Sequence, residues 1–462
     1  METVTARTLA VQILLQVFYE SAYANLALER ALKYCSLTPR DRGLVTELVN
    51  GTIRMKKHLD WVLDLFLVAK RRKLERRVYV ILILSLYQLL FLERIPAYAV
   101  INEAVEMTRS EGKGASGLVN GLLRNVERNR DQITYPDPSR DMVSYLAVFY
   151  SHPEWMVSRW VDRYGYEDTR RLLAFNNQSP PLTVRVNRLK TRVSALAALM
   201  DDEGVKAKAG MIADTSLLLE STPGPISGLR SYRDGLFYVQ SESTMLIPLC
   251  LAPQPGSLVY DFCCGVGGKT THLAELMGDR GKIVAFDLYQ HKLELLGMNC
   301  RRLGISIVES RRADLLEPIP ELTEADAVLL DAPCSGLGVL RSRADLRWRK
   351  KEEDIALMSE LQSRMLEQVA RTVRPGGKLL YSTCSLEPEE NQEVVERFVA
   401  HHTEFEFMNL DEVLEQNPWL SMEDTVAGKG HLTIFPPRHQ ADGMFVSLMR
   451  RIYGGQDRAA GA

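Results

Sequence analysis

Two cysteines in this 462-residue sequence stand where a thiol could act as a nucleophile. Cys334 follows the apolar run AVLLD in DAPCSG, and Cys384 follows KLLYST in YSTCSLEPEEN. A lone cysteine there is more often a small buried hydrophobe, but both runs are predicted strands whose carboxyl ends meet at one sheet edge. A thiolate that adds to C6 of a pyrimidine makes C5 nucleophilic enough to accept a methyl group. The carboxyl group of Asp331, which ends AVLLD, can supply the proton or hydrogen bond that this addition needs at N3.

A glycine-rich turn between a predicted strand and a predicted helix indicates a cofactor site. The strand SLVYDF runs into CCGVGGKT, where Gly265, Gly267 and Gly268 allow a tight turn and a close approach to a ligand. The turn does not match a P-loop, which needs glycine where Cys263 stands. It does not match a dinucleotide fingerprint either, which needs glycine at Thr270.

Acidic residues follow the predicted strands repeatedly. Asp287 ends KIVAFD twenty positions beyond Gly267, a spacing suited to accepting hydrogen bonds from ribose hydroxyls. Asp261, Asp314 and Asp331 follow other apolar stretches. These acids and the short turn predict an adenosine cofactor without a phosphate, as in S-adenosylmethionine. In the alternative interpretation the turn only connects strand to helix, which the repeated acids disfavour.

The elements that must position these residues change along the chain. Residues 1–135 show apolar residues at helical spacing and predict an all-α bundle, whereas residues 136–240 mix helices with short strands and predict a linker and a small α/β subdomain. Strands and helices alternate over residues 241–453, which predicts an α/β domain with a parallel sheet covered on both faces. Residues 454–462 are expected to form a flexible tail.

Charge and composition exclude several classes of protein. The net charge is −2, so any nucleic-acid contact must come from a local patch. The basic surplus peaks in one cluster, which could be a polyanion contact or only a solvated helix face. We call it the basic cluster; it comprises Lys70, Arg71, Arg72, Lys73, Arg76 and Arg77.

The sequence predicts neither a membrane-spanning segment nor a metal site. The longest apolar run, residues 78–92, is shorter than the ~20 residues of a membrane span and predicts a buried core helix. No signal peptide is evident, and the seven cysteines show no C-x-x-C spacing, so neither a disulfide framework nor a zinc site is indicated. A reduced, cytoplasmic protein is the expectation.

Several blocks give the sequence a family resemblance. DAPCSGLG, RWRKKEEDI, RPGGKLLYSTCSLEPEEN and HQADGMFVSLMRR resemble the catalytic blocks of the Sun/Nop family of RNA cytosine-5 methyltransferases, in particular its bacterial type B branch, which acts on small-subunit ribosomal RNA. RTLAVQILLQVF, DRGLVTELVNGTIR and YQLLFLERIPAYAVINEAVE resemble the NusB-like helical domain of that branch. The resemblance thus implies a NusB-like bundle, a small RNA-binding subdomain and a Rossmann-like methyltransferase domain.

The resemblance also implies roles for individual residues. Cys384 would be the nucleophile, Cys334 would assist product release, and Asp331 would lie near the target base. The implied cofactor contacts are Cys263, Cys264, Gly265, Val266, Gly267, Gly268, Lys269, Asp287, Asp314 and Asp331, although Cys264-Gly265-Val266 replaces the usual A-A-P of the family.

The implied partner is small-subunit ribosomal RNA, bound by a monomer and with the basic cluster as a phosphate contact. Two other functions remain as alternatives: a non-catalytic RNA-binding module with an idle methyltransferase fold, and methylation of a small molecule or a protein.

Overall fold

The computed structural model of the protein describes residues 5–67, 71–112, 114–317, 322–410, 415 and 430–453. These residues form two compact units. The first contains the chain up to Gln178 together with Leu340–Arg349, and the second contains Ser179–Val339 and the chain from Lys350 onward. This division does not coincide with the predicted boundaries after residues 135 and 240. The predicted tail, 454–462, lies outside the described residues.

The first unit is helical, as its apolar spacing predicts. The run from Val78 to Gln88 is buried along its whole length within one helix of this unit, so the prediction of a core helix there is confirmed. The helices are α1 (Ala6–Tyr19), α2 (Ala24–Lys33), α3 (Pro39–Arg54), α4 (Lys56–Phe66), α5 (Arg76–Phe91), α6 (Ala97–Met107), α7 (Ala115–Arg128), α8 (Met142–Phe149) and α9 (Glu154–Asn176).

The second unit contains a small antiparallel sheet and a large mixed sheet. The small sheet has the order β2-β3-β1-β4, and the large sheet has the order β10-β12-β9-β8-β5-β6-β7 with β11 paired to β12. The strands are β1 (Leu182–Val186), β2 (Lys206–Ala209), β3 (Ser216–Ser221), β4 (Phe237–Val239), β5 (Leu258–Phe262), β6 (Lys282–Asp287), β7 (Val308–Arg312), β8 (Ala325–Asp331), β9 (Val373–Thr383), β10 (Phe405–Phe407), β11 (His431–Ile434) and β12 (Met444–Arg451).

Helices cover both faces of the large sheet. Successive residues of β5 belong to different apolar clusters, Val259 to one and Tyr260 to the other, as expected for a strand buried on both faces. The remaining helices are α10 (Val193–Asp202), α11 (Arg230–Arg233), α12 (Glu242–Leu251), α13 (Gly268–Leu276), α14 (Gln290–Leu303), the short α15 (Leu346–Arg349) of the first unit, α16 (Glu353–Ala370), α17 (Gln392–His401) and α18 (Pro436–His439).

The predicted parallel sheet is confirmed at its centre and corrected at its edge. Strands β5 to β9 are parallel to one another, but β12 runs antiparallel to β9 and pairs in turn with β10 and β11. No helix within the described ranges is long and apolar enough to span a lipid bilayer. The parallel centre matters for function because the carboxyl ends of β5, β6, β8 and β9 meet at one edge.

Candidate active site

The glycine turn after β5 has the backbone of a ligand-binding loop. Gly265 and Gly267 have φ angles of 59° and 90°, and Cys263 adopts a left-handed φ of 62°, which is costly for a residue with a Cβ. A Cβ on Gly267 would collide with Leu296, whereas the space beside Gly265 is open. The turn therefore leaves room for a ligand beside Gly265, and Val266 next to it is exposed.

Asp287, at the end of β6, holds this turn in place. Its carboxylate accepts hydrogen bonds from the N–H groups of Gly265 and Tyr289, each at 3.0 Å. The N–H of Cys264 donates to the carbonyl oxygen of Phe286 at 2.9 Å, so a backbone hydrogen bond also joins the turn to β6. Asp287 thus lies at the turn, where the sequence spacing predicts a ribose contact.

Three acidic residues lie around the glycine turn. Burial raises the pKa of the Cys263 thiol, and so do the neighbouring carboxylates of Asp331, Asp287 and Asp261. Asp331 is paired with Lys269 at 2.6 Å and Asp287 lies 3.5 Å from Lys292, so the acids are partly neutralised. Their oxygens are acceptors that suit the hydroxyl and ammonium groups of S-adenosylmethionine. The residues present therefore fit the predicted cofactor.

Asp261 contributes more to this site than its sequence suggests. It is fully buried at the end of β5, and its Oδ2 accepts a hydrogen bond from the Thr270 hydroxyl at 2.6 Å. Burial is the main cause that raises the pKa of Asp261 to about 7, despite that hydrogen bond. The sequence marked this residue only as one of the strand-end acids, because burial depth cannot be read from spacing.

Asp331, at the end of β8, is paired with Lys269 from the glycine turn. The Lys269 Nζ lies 2.6 Å from Asp331 Oδ2, and the Ser382 hydroxyl donates to Asp331 Oδ1 at 2.9 Å. Burial alone would lower the pKa of Lys269, but the Asp331 carboxylate outweighs it and raises that pKa. Lys269 was predicted only as a cofactor contact, so this ion pair is a finding of the structure.

The two cysteines meet at the same edge of the sheet. Their sulfur atoms are 3.1 Å apart, which is a hydrogen-bond contact between free thiols and well beyond the ~2.05 Å of a disulfide. Two backbone hydrogen bonds join their loops: Ala332 N–H donates to the Ser382 carbonyl and Gly338 N–H to the Cys384 carbonyl, each at 2.9 Å. Residues fifty positions apart in sequence thus form one site.

Asp314 lies apart from this group of contacts. It follows β7, is exposed, and its carboxylate caps the turn by accepting a hydrogen bond from Leu316 N–H at 3.0 Å. No contact in the described part of the chain joins it to the cysteines, so its role as a cofactor residue stays a prediction.

The basic cluster belongs to the first unit and is partly neutralised there. Arg71 lies 2.8 Å from Asp60, and Arg77 lies 3.0 Å from Glu111. Lys73 is exposed, and the Arg76 guanidinium stacks on the Tyr19 ring with its carbon 4.9 Å from the ring centroid. Lys70 and the side chain of Arg72 lie outside the described residues.

Family models match three parts of the chain. Residues 248–450 match 16S rRNA methyltransferase RsmB/F, residues 4–128 match the NusB family, and residues 152–226 match a ferredoxin-like domain of RsmF/B-like methyltransferases. The match over 248–450 includes both cysteines, the Lys269–Asp331 pair and the glycine turn.

Individual relatives match nearly the whole chain. A probable ribosomal RNA small subunit methyltransferase B of Bacillus subtilis is 36% identical and covers 98% of this chain and 100% of its own length. The ribosomal RNA small subunit methyltransferase B of Escherichia coli is 32% identical over 80% of this chain and 84% of its own length. The crystal structure of PH0851 superposes with a TM-score of 0.80 at 26% identity, covering 97% of this chain and 99% of that one.

These matches confirm the predicted resemblance and the fold class, and they support S-adenosylmethionine as the cofactor. From its glycine turn to its paired cysteines and its NusB-matching helices, the chain belongs to the RsmB/F family of ribosomal RNA small subunit methyltransferases.

Proposed function

We propose that the protein methylates C5 of a cytosine in small-subunit ribosomal RNA through a covalent bond between Cys384 and C6 of the base. The observation that carries this proposal is the contact between the two thiols beside the Lys269–Asp331 pair. Methylation of a nitrogen or an oxygen needs no thiol, whereas C5 of cytosine becomes nucleophilic only after a nucleophile has added to C6.

The thiol contact supports different roles for the two cysteines. The hydrogen bond with Cys384, burial and the charge of Glu390 all raise the pKa of the Cys334 thiol well above its usual value. Either sulfur can be the donor in this contact, and we propose that Cys334 donates its proton and that the sulfur of Cys384 accepts it. The thiolate is the nucleophilic form of cysteine, and a hydrogen bond donated by a neighbouring thiol favours it.

The addition step uses the ion pair beside the thiols. Cys384 gives up its thiol proton and its Sγ forms a bond to C6. The C5=C6 electrons move into the C4–C5 bond, the C4=N3 electrons move onto N3, and N3 takes up a proton. Asp331 lies at the strand end next to Cys384 and can pass that proton from the Lys269 ammonium, which its carboxylate contacts at 2.6 Å. S-adenosylmethionine, when bound at the glycine turn, supplies the electrophilic methyl group.

The release step uses the second thiol. A base removes the C5 proton, the electrons of that bond restore C5=C6, and the C6–S bond breaks. The sulfur of Cys384 leaves beside the Cys334 thiol, which can donate a hydrogen bond to it. Elimination and addition can thus depend on different residues.

The proposal can be tested with methyl-labelled S-adenosylmethionine and small-subunit ribosomal RNA from cells without this methylation, presented both as naked RNA and within assembled particles. We expect label in 5-methylcytosine after nuclease digestion, and a Cys35→Ala variant should retain it, because Cys35 lies in the first unit. Label on a nitrogen or an oxygen would contradict the C5 assignment. Cofactor and RNA binding without any transfer would favour the non-catalytic module.

A further inference from the structure

A buried carboxylate lies behind the two cysteines. Glu390 is fully buried at the end of a short 3-10 helix, Pro388–Glu390. Its Oε2 accepts hydrogen bonds from Ser335 N–H at 2.7 Å and from the Gln362 side-chain amide at 3.0 Å. Its Oε1 accepts them from the hydroxyls of Ser385, at 2.6 Å, and of Ser335.

Three of these four donors belong to the two cysteine loops, and the fourth, Gln362, belongs to α16. Ser335 directly follows Cys334, and Ser385 directly follows Cys384, so one carboxylate bridges both loops. The two serine hydroxyls also contact each other at 3.1 Å.

The neighbouring residue fixes the second loop further. The Thr383 hydroxyl donates to Asn391 Oδ1 at 2.5 Å, and Asn391 Nδ2 donates to the Ser385 carbonyl at 3.0 Å. The residues on both sides of Cys384 are thereby held by Asn391, while Glu390 ties the same loop to Cys334. Glu390 and Asn391, the last two residues of the block YSTCSLEPEEN, thus have a structural role.

The chemistry of the bridge requires an acceptor with several lone pairs. An ionised carboxylate donates nothing and offers about four acceptor sites, which matches the four donors found here. A buried carboxylate is costly unless it is hydrogen-bonded, and hydrogen bonds to a charged group are stronger than neutral ones. The arrangement is therefore stable only while both loops supply their donors.

We infer that Glu390 is a positioning residue that holds Cys334 and Cys384 at sulfur–sulfur contact. The geometric part of this inference stands on the contacts alone, and its catalytic consequence rests on the proposed function. A loosened bridge should slow the release step, which needs both sulfur atoms, and should leave the affinity for S-adenosylmethionine unchanged.

The sulfur–sulfur contact can be measured without RNA or cofactor. Diamide oxidises two adjacent thiols to a disulfide, with loss of two protons and two electrons, and is itself reduced to the hydrazine. We expect rapid formation of the Cys334–Cys384 disulfide in the full-length protein, identified by peptide mass spectrometry. The Glu390→Ala variant should form it at least about tenfold more slowly.

Conservative and control variants separate positioning from folding. In Glu390→Gln, the side-chain oxygen can still accept from the Ser335 N–H and the Gln362 amide. The new amide group can donate to the two serine hydroxyls, which can act as acceptors. Its rate of disulfide formation should therefore stay within about threefold of the wild-type rate. Glu393→Ala, which removes an exposed carboxylate of α17, should not change the rate. If Glu390→Ala fails to fold, Ser385→Ala is decisive instead, because it removes only one side of the bridge and should slow the reaction about threefold.

The outcomes distinguish this inference from the proposed function. A folded Glu390→Ala variant, or Ser385→Ala in its place, that forms the disulfide at the wild-type rate would overturn the inference. Slow disulfide formation together with a lower kcat for methylation and an unchanged KM for S-adenosylmethionine would support it. Slow disulfide formation in a protein that methylates no RNA would leave the bridge established and remove the proposed function.

Discussion

At the scale of single residues, the site places two cysteines and two aspartates in different environments. Cys384 is the nucleophile in the proposed mechanism, and the pKa of Cys334, whose sulfur lies 3.1 Å away, is raised. Asp331 is paired with Lys269, whereas Asp261 is buried and has its pKa raised to about 7. The two cysteines and the two aspartates thus differ in their burial and in the groups that contact them.

Substitution of Cys384 and substitution of Cys334 should block different steps of the reaction. Cys384→Ala should abolish methyl transfer and leave cofactor binding intact, because no sulfur remains to add to C6. Cys334→Ala should still attack and methylate the base but release it slowly, so a protein–RNA adduct should accumulate on a denaturing gel only when S-adenosylmethionine is present. The double variant should give no adduct. An adduct trapped by Cys384→Ala instead would reverse the two roles, and unaffected methylation in both variants would exclude covalent catalysis.

Asp261 should make the stability of the second unit depend on pH. Its native pKa of about 7 lies above the ordinary aspartate value, so its protonated form is favoured by folding, and this contribution is lost as the pH rises toward and through 7. Asp261→Asn resembles the protonated acid at every pH. The Tm of Asp261→Asn minus that of the wild type should therefore increase between pH 5 and pH 8, as measured by thermal unfolding without cofactor. A difference that does not change with pH would show that Asp261 ionises normally.

At the scale of elements, the small sheet supports the cofactor turn through one buried arginine. Arg185 of β1 is fully buried and lies 2.8 Å from Glu275 of α13. Its guanidinium also donates to the Gly268 carbonyl at 2.8 Å and to the Thr271 hydroxyl at 2.9 Å. The start of α13, which carries the glycine turn, is thus held by a residue of another sheet.

Removal of either Arg185 or Glu275 alone should lower the stability more than removal of both. Arg185→Met leaves the Glu275 carboxylate buried without its cation, a loss of about 3–5 kcal/mol for broken buried pairs. The Arg185→Met/Glu275→Met double variant should recover much of that stability in chemical denaturation of the full chain. If the double variant loses the sum of the two single losses, the pair is not coupled.

At the scale of the whole molecule, one segment belongs to a different unit from the sequence on either side of it. Leu340–Arg349 lies between two parts of the second unit along the chain but belongs to the first. Within the first unit Arg347 is fully buried and donates to Asn177 Oδ1 at 2.8 Å and to the Asn176 carbonyl at 3.0 Å. The Trp348 indole N–H donates to the Ile53 carbonyl at 2.7 Å. The arginine and tryptophan of RWRKKEEDI thus have structural roles in the first unit.

Binding of RNA by the first unit should depend unequally on the basic cluster. Lys73 is exposed, so Lys73→Ala should reduce the slope of log affinity against log salt by about 0.7–0.9 if it contacts a phosphate. Arg71→Ala should reduce it less, because Arg71 is already paired with Asp60. Fluorescence anisotropy over a salt series measures both slopes. Unchanged slopes in both variants would leave the cluster as a solvated face.

Much of this protein is determined by local sequence. The central strands could be predicted because strands buried on both faces must be continuously apolar, as in KIVAFD and AVLLDA. The glycine turn and the positions of Cys334 and Cys384 after strands are also local, so the candidate site could be located before any contact was known.

Contacts between distant residues were decided only by the tertiary structure. The 3.1 Å sulfur contact, the Lys269–Asp331 pair and three of the four hydrogen bonds to Glu390 join residues that are tens of positions apart. Polar strands such as VESRR in β7 show no apolar pattern and form because the sheet edge supplies their hydrogen bonds. The physical reason is the same in each case: spacing along the chain fixes which residues can stand at an edge, whereas burial and partner choice depend on what packs against that edge.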